Sequence, residues 1–301
     1  MGIWFPQLLA HFTYVMLSLP AVGIQLTSGL EGCPRDGVTE GRGKTDGFGA
    51  QMLSMLSVFA WAEEQNLTYC TWRWQGMGHG ENGGQMFDFV GGPRYGPPSK
   101  PSTFMSKNKQ KVVSWQHAPR ARQAARAYYL ADPKPPLQWF DQSKTTVAIH
   151  IRGSNEIVQH NKLINPRRWV KWRYLRACMA YINETTPHPY NLHVFTDAES
   201  LDLDPISAFK PTIHRGANLQ TSFHHMVMAD KFILAKSSLS DSIAYLRSSD
   251  VSTFYPWTTM RNLSFLRLNR YLGRSCVLAL CPAGSSDLSC DIGWDSDVGL
   301  W

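Results

Sequence analysis

Charged side chains are scarce. Asp, Glu, Lys and Arg make up 18% of the 301 residues, against roughly a quarter in an average soluble domain, which excludes a solvated coiled coil or a long charged tail. Cysteine is scarce as well. The chain has 6, none in a paired CxxC spacing, so neither a disulfide-dense scaffold nor a finger-type zinc site is expected. Internal repeats and low-complexity tracts are absent. Residues 3–26 hold no Lys or Arg, and beyond that apolar run no second stretch is long enough to cross a bilayer.

Apolar residues are plentiful. At 43% hydrophobic and 12% aromatic the chain has material for a packed core rather than a disordered ensemble. At roughly 150 residues per domain, its length fits two domains or one large one. Lys plus Arg number 30 against 23 for Asp plus Glu, a formal charge of +7 that favours an anionic ligand, whether nucleic acid, membrane surface or phosphate. Residues 285–301 carry Asp287, Asp291, Asp295 and Asp297 without a Lys or Arg, so the preceding portion is more basic than the total.

The run LLAHFTYVMLSLPAVG, bracketed by Pro6 and Pro20 and ending in small residues, reads as a weak secretory signal or anchor. A buried N-terminal strand or helix is the alternative, with a cytoplasmic chain. Asn66-Leu67-Thr68, Asn183-Glu184-Thr185 and Asn262-Leu263-Ser264 match the glycosylation sequon, which agrees with a lumenal chain in the Golgi or endoplasmic reticulum. Cys276, Cys281 and Cys290 cluster while Cys33, Cys70 and Cys178 are scattered. One or two bridges in an oxidising lumen fit this pattern, and buried reduced cysteines fit it equally.

Along the chain, residues 27–47 read as a loop. From Gly49, the residues Met52, Leu53, Leu56, Phe59 and Ala60 recur at helical spacing up to Glu64. Leu67 to Trp74 has the composition of a strand. Gly76 to Pro98, which holds His79, Glu81 and Asp88, is rich in Gly and Pro and predicts an irregular functional loop. Lys107, Lys109, Lys111, Arg120, Arg122 and Arg126 form a basic stretch that reads as a solvated helix face. Few aromatics interleave it, so no nucleic-acid partner is expected.

In the second half, strands are predicted at Val147–Ile151, Leu192–Thr196, Pro211–His214 and Phe232–Ala235. Helices are predicted over 166–182, Leu201–Phe209, Ser222–Lys231 and Ser238–Arg247. Alternation of this kind specifies an α/β fold with a parallel sheet. Such sheets bind ligands beyond the carboxyl ends of their strands, which singles out His150-Ile151-Arg152-Gly153, Thr196-Asp197, Asp230 and Lys236-Ser237-Ser238-Leu239-Ser240. Arg152 can fork two hydrogen bonds onto a phosphate. The serines open a helix whose free N–H groups attract anions. Their bland roles are helix capping for Asp197 and the serines and a surface ion pair for Arg152, and their shared edge argues against these.

The DGFGAQ turn (Asp46 to Gln51), HIR (His150 to Arg152), FTD (Phe195 to Asp197) and ADKFILAKSSLS (Ala229 to Ser240) together resemble fucosyltransferases with an HxRRGD-type motif, the α1,2-, α1,6- and protein O-fucosyltransferases. The resemblance runs from about residue 45 to 250, and its last block is the most specific. It implies a GT-B-like architecture, two Rossmann-like domains with parallel sheets facing a cleft. A leader or anchor would occupy 1–40, an acceptor-side domain 41–140, a nucleotide-sugar domain 141–275 and a tail 276–301. It further implies an inverting enzyme that moves fucose from GDP-fucose to a glycan or protein hydroxyl, with no cofactor and no metal, and membrane contact only through an N-terminal anchor.

By the same resemblance Arg152 contacts the nucleotide diphosphate, with His150 beside it in the motif and Asp197 at the next strand end. Asp230 and Ser237, Ser238 and Ser240 bind guanine and phosphate, and Gly47, Gly49 and Gln51 approach the sugar nucleotide or acceptor. Glu156 and Asp46 are the candidates to take the acceptor proton. Gly153 stands where the motif has a second arginine, and Ala50 where the turn often has Asn. These departures motivate the alternative of a catalytically weak or inactive glycan- or nucleotide-binding pseudoenzyme. The strand that usually precedes the turn is displaced, and Ala21 to Leu26 is the segment that could supply it.

Overall fold

The computed structural model describes Cys33 and residues 47–71, 74, 76–78, 82–91, 119–153, 158–159, 162–163, 170, 172–198, 201–248 and 251–254. Asp46, His79, Glu81, Glu156, Asn262 and the three C-terminal cysteines lie outside the described residues, as do the apolar N-terminal run, Ala21 to Leu26 and the lysines of the basic stretch.

The elements, in chain order, are α1 (Phe48–Glu64), α2 (Gly83–Val90), α3 (Pro119–Ala131), β1 (Thr145–Ile151), β2 (Val158–Gln159), β3 (Lys162–Leu163), α4 (Trp172–Thr185), β4 (Tyr190–Thr196), α5 (Asp204–Ser207), β5 (Thr212–Arg215), α6 (Leu219–Met228), β6 (Lys231–Ile233), α7 (Ser238–Leu246) and β7 (Ser252–Phe254). Five strands pair in the order β5-β4-β1-β6-β7, all parallel. The fold is therefore α/β with a parallel sheet, as the alternation predicts. β2 and β3 form a separate antiparallel pair.

β1 lies at the centre, and its side chains divide the core. Val147, Ile149 and Ile151 point to one face, where they meet Leu192, Val194, Ile233 and Phe254 and the α4 residues Leu175, Cys178, Met179 and Ile182. Ala148 points to the other, with Phe195, Phe232, Phe223 and the buried faces of α1, α2 and α3. This two-sided burial is why the strands read as continuous apolar runs rather than as alternating ones.

α1 is buried over most of its circumference, through Met52, Met55, Leu56, Val58, Phe59, Ala60 and Ala62. It ends on Asn66 in the left-handed conformation at φ 52°. Leu67 N–H then reaches Ala62 O at 2.9 Å, and Asn66 N–H reaches Glu63 O at 3.4 Å, the paired bonds of a Schellman stop.

Three expectations are corrected. The stretch from Gly76 is not irregular throughout, because it contains α2. Asn82 caps this helix by accepting from Gln85 N at 3.1 Å, Met86, Phe87, Phe89 and Val90 supply a buried face, and Gly91 at φ 67° closes it. Gly83 and Gly84 fall in the first turn, where Trp74 O lies 3.0 Å from the place of a Gly83 Cβ, so composition hid a close-packed helix.

Leu67 to Trp74 is not a continuous strand; among its described residues there is one isolated bridge, at Tyr69. Nor are the arginines of the basic stretch merely a solvated face. Arg122 donates to Tyr245 O, Ala244 O, Arg247 O and Ser248 O, and Arg126 to Leu246 O at 2.6 Å. They grip the carbonyl end of α7, where cations are stabilised by the helix dipole. Buried Arg247 adds to the grip by donating to Thr253 Oγ1, Met226 O, Asp230 O and Ser252 O.

Among the described residues no helix is long and apolar enough to cross a membrane. Cys33 and Cys70 are disulfide-bonded, and Cys178 is free and buried.

Candidate functional site

β1 carries the site outward from the core. His150, on the face of Ala148, is buried, and its Nδ1 lies 2.6 Å from Ser240 Oγ. Burial lowers its pKa to about 4; Asp197 opposes that shift and Arg152 adds to it. The ring is therefore neutral at ordinary pH. Ser240 Oγ also accepts from Ala235 N at 3.1 Å. The contact ties the carboxyl end of β1 to the first turn of α7. Arg152, just past the end of β1, sits half-buried at the carboxyl edge.

The turn after β1 is held by its neighbour. Gly153 N–H donates to Asp197 Oδ1 at 2.8 Å, and a Cβ at Gly153 would collide with Ala198 Cβ. The loop that carries Ala198 is braced in turn, since Arg215 at the end of β5 donates to Ala198 O at 2.6 Å and to Leu201 O at 2.7 Å. A single glycine thus fixes the turn beside Arg152 and leaves no room there for a second long side chain.

α7 begins at the same edge. Ser237 is its cap, with Oγ accepting from Ser240 N at 3.1 Å, and Asp241 N makes the first bond back to Ser237 O. Ser238 and Leu239 therefore start the helix with N–H groups that no intrahelical carbonyl can meet. Asp241, the acid of this first turn, is raised by burial to about 7, so at neutral pH a substantial fraction of it is uncharged.

α1 also begins here. Gly47 caps it without a side-chain hydrogen bond, and its first turn holds no acid. Gly49 lies so close to α7 that a Cβ on it would sit on Leu239 N and against Ser238 C, while Ser242 Oγ donates to Gly49 O at 3.2 Å. Two helix amino ends thus meet, and their like-signed dipole ends call for a negative charge between them.

The sequence candidates divide accordingly. His150, Arg152, Asp197, Ser237, Ser238, Ser240, Gly47 and Gly49 gather at the carboxyl edge. Gln51 is buried one turn into α1, and its Nε2 donates to Gly76 O at 3.0 Å. Asp230 is not at this edge. It precedes β6 at the amino end of the sheet, where its Oδ2 accepts from Thr146 N at 2.8 Å and Thr146 Oγ1 at 2.9 Å. The expectation of one shared edge is corrected for this residue, because it stands before its strand and not after it.

A second cluster has no counterpart in the sequence reading. Trp139 packs between His214, at 4.3 Å between ring centres, and His225, at 4.4 Å. His193 Nδ1 is 2.9 Å from His214 Nε2. The residues come from β4, β5, α6 and the approach to β1, and no local pattern links them. Among the described residues no group of three His, Cys, Asp or Glu is placed to hold a metal ion.

No protein-family model matches the chain, and no curated protein matches it. Among solved structures it is similar to NodZ α-1,6-fucosyltransferase soaked with GDP-fucose, at 12% identity over 70% of this chain and 92% of that one, TM-score 0.36. It is also similar to fucosyltransferase NodZ from Bradyrhizobium, at 13% identity over 70% and 93%, TM-score 0.36. POFUT1 in complex with GDP-fucose is a third, at 14% identity over 54% of each chain, TM-score 0.29. These are likenesses of α/β architecture and nothing finer.

Proposed function

We propose that the chain is a glycosyltransferase that binds a nucleotide diphosphate sugar, GDP-fucose, at the carboxyl edge of its sheet and transfers the sugar to a glycan or protein hydroxyl with inversion. The observation that carries the reading is the meeting of the α1 and α7 amino ends at the carboxyl edge, where Gly49 packs without a side chain against Leu239 N. Departure of the diphosphate concentrates negative charge on its β-phosphate. Arg152 and the Ser238 and Leu239 N–H groups are placed to stabilise that charge more as it grows, which is the condition for lowering a barrier. His150, neutral and bound to Ser240, would orient α7 rather than carry charge.

On this reading the chain has the two-domain GT-B organisation, with residues 41–140 on the acceptor side and 141–275 on the donor side. Glu156 or Asp46 takes the acceptor proton, and no metal takes part. Asp230 acts in holding the amino ends of β1 and β6 together. The Cys33–Cys70 bridge supports a secretory-lumen location, where disulfides persist.

The packing at Gly153 favours a second reading in which the same site binds the nucleotide without transfer, since no second arginine fits there. The test is GDP release from GDP-fucose with β-galactoside, N-glycan and Ser/Thr peptide acceptors. Release that depends on one of them is expected. Folded protein that binds GDP but releases none leaves the second reading, and folded protein that binds no nucleotide contradicts both.

A further inference from the structure

Asn66-Leu67-Thr68 plays no part in the site above. Asn66 occupies the residue after the α1 cap, in the left-handed conformation at φ 52°, and is exposed. Its side-chain amide hydrogen-bonds to no described residue. The backbone holds the turn through the Leu67-to-Ala62 and Asn66-to-Glu63 bonds, so the side chain projects from a fixed platform and is not needed to maintain it.

The other described sequon differs. Asn183 lies within α4 and accepts from Tyr190 OH at 3.2 Å, and Thr185 Oγ1 is spent on Tyr181 O at 2.7 Å. The disulfide supplies an independent observation. Cys70, four residues past Asn66, is bonded to Cys33, and such bridges form in the oxidising compartments where asparagine glycosylation takes place.

We propose that Asn66 carries an N-linked oligosaccharide. In the transfer the Asn66 amide nitrogen attacks the anomeric carbon of a lipid-linked oligosaccharyl diphosphate. The carbon–nitrogen bond forms as the carbon–oxygen bond to the diphosphate breaks; the amide gives up one proton, and the lipid diphosphate leaves. The 17 residues of α1 put the glycan about 25 Å along the helix from Gly49, clear of the candidate donor site.

The experiment is production of the full chain in a eukaryotic secretory host, followed by enzymatic release of N-glycans in heavy-oxygen water and mass mapping. Asn66 is expected to be recovered as labelled aspartate, with an occupancy above that of Asn183. Thr68→Ala abolishes the label and Thr68→Ser retains it, while the thermal shift with GDP is unchanged in both. Disulfide-bonded protein with unmodified Asn66, or with Asn183 the more occupied, would overturn the proposal. Neither result depends on whether the chain transfers fucose.

Discussion

Gly153 donates its backbone N–H to the Asp197 carboxylate at 2.8 Å, while Ala198, the residue after that carboxylate, fills the space in which a side chain at 153 would begin. The packing around residue 153 thus leaves no room for a side chain at that position. Replacing Gly153 with Arg should not improve the site. It should lower stability by about 1–3 kcal/mol, as overpacking does, and weaken nucleotide binding through displacement of the turn. Thermal denaturation and GDP titration of G153R measure both; a variant as stable as the parent with tighter GDP binding would count against the account.

Gly49→Ala separates helix propensity from site geometry. In an open helix the change stabilises by about 1 kcal/mol. Here the added methyl group meets Leu239 N and Ser238 C, so α1 must move from α7 or the N–H groups must be covered. Lower stability and at least tenfold weaker GDP binding are expected by calorimetry. Tenfold is about 1.4 kcal/mol.

The α7 carbonyl end should be sensitive to its arginines in proportion to their burial. Arg247 is fully buried with four hydrogen-bond partners. Arg247→Ala leaves several buried carbonyls unmet at about 1–3 kcal/mol each, before any recovery by water, and should cost more than 3 kcal/mol in all. Arg122→Ala, at a half-buried position, should cost about 1–2 kcal/mol. Urea denaturation of the two variants tests the order, and equal effects would contradict it.

The histidines make stability fall on acidification. His225 Nδ1 lies 2.8 Å from Thr221 O and must donate to it, so Nε2, 3.3 Å from Trp139 N–H, must be the bare acceptor. His193 and His214 share one hydrogen bond and cannot both present donors. Burial, with repulsion among the imidazoles, lowers His193 and His214 to about 4. His224 is also lowered to about 4, through burial and through His225, Lys134 and Arg126, and burial depresses His225 against the bond to Thr221 O.

With folded values below the unfolded 6.5, the unfolded chain binds more protons between pH 6.5 and about 4. Stability is therefore full above that window and lost as pH falls through it. Asp241, raised to about 7, acts in the opposite direction, but it is one group against five, since burial lowers His150 to about 4 as well. Asp141, drawn down to about 2 by Lys144 and Ser143, acts only below its unfolded value of 3.8. The urea midpoint should decline from pH 6.5 to 5, and less steeply in His214→Gln. A midpoint flat over that range would contradict the assignment.

The sequence made part of this legible. VAIHI, LHVFT and FILA stand out because both faces of their strands are buried, and His150, Arg152 and Ser240 follow from where those strands end. Asp230 was misplaced because composition does not say which end of a strand a flanking residue occupies. α2 was hidden by its glycines. The roles of Arg122 and of the Trp139 cluster depend on partners far away in the chain, with Arg122 bonded to a carbonyl 123 positions on, and no local pattern reports such a distance. β7, three residues long, is set by its pairing with β6.

The proposed nucleotide diphosphate sugar site lies at the carboxyl edge, where Arg152 follows β1 and the amino ends of α1 and α7 meet. The most direct measurement compares melting temperatures of the parent and Arg152→Ala with GDP, GDP-fucose, GDP-mannose and UDP-sugars, since a ligand that binds the folded state raises its stability by mass action. The account predicts a concentration-dependent rise with GDP and GDP-fucose in the parent, little with UDP-sugars, and none in Arg152→Ala. Folded parent protein unmoved by GDP-sugars, or an equal rise in Arg152→Ala, would contradict it.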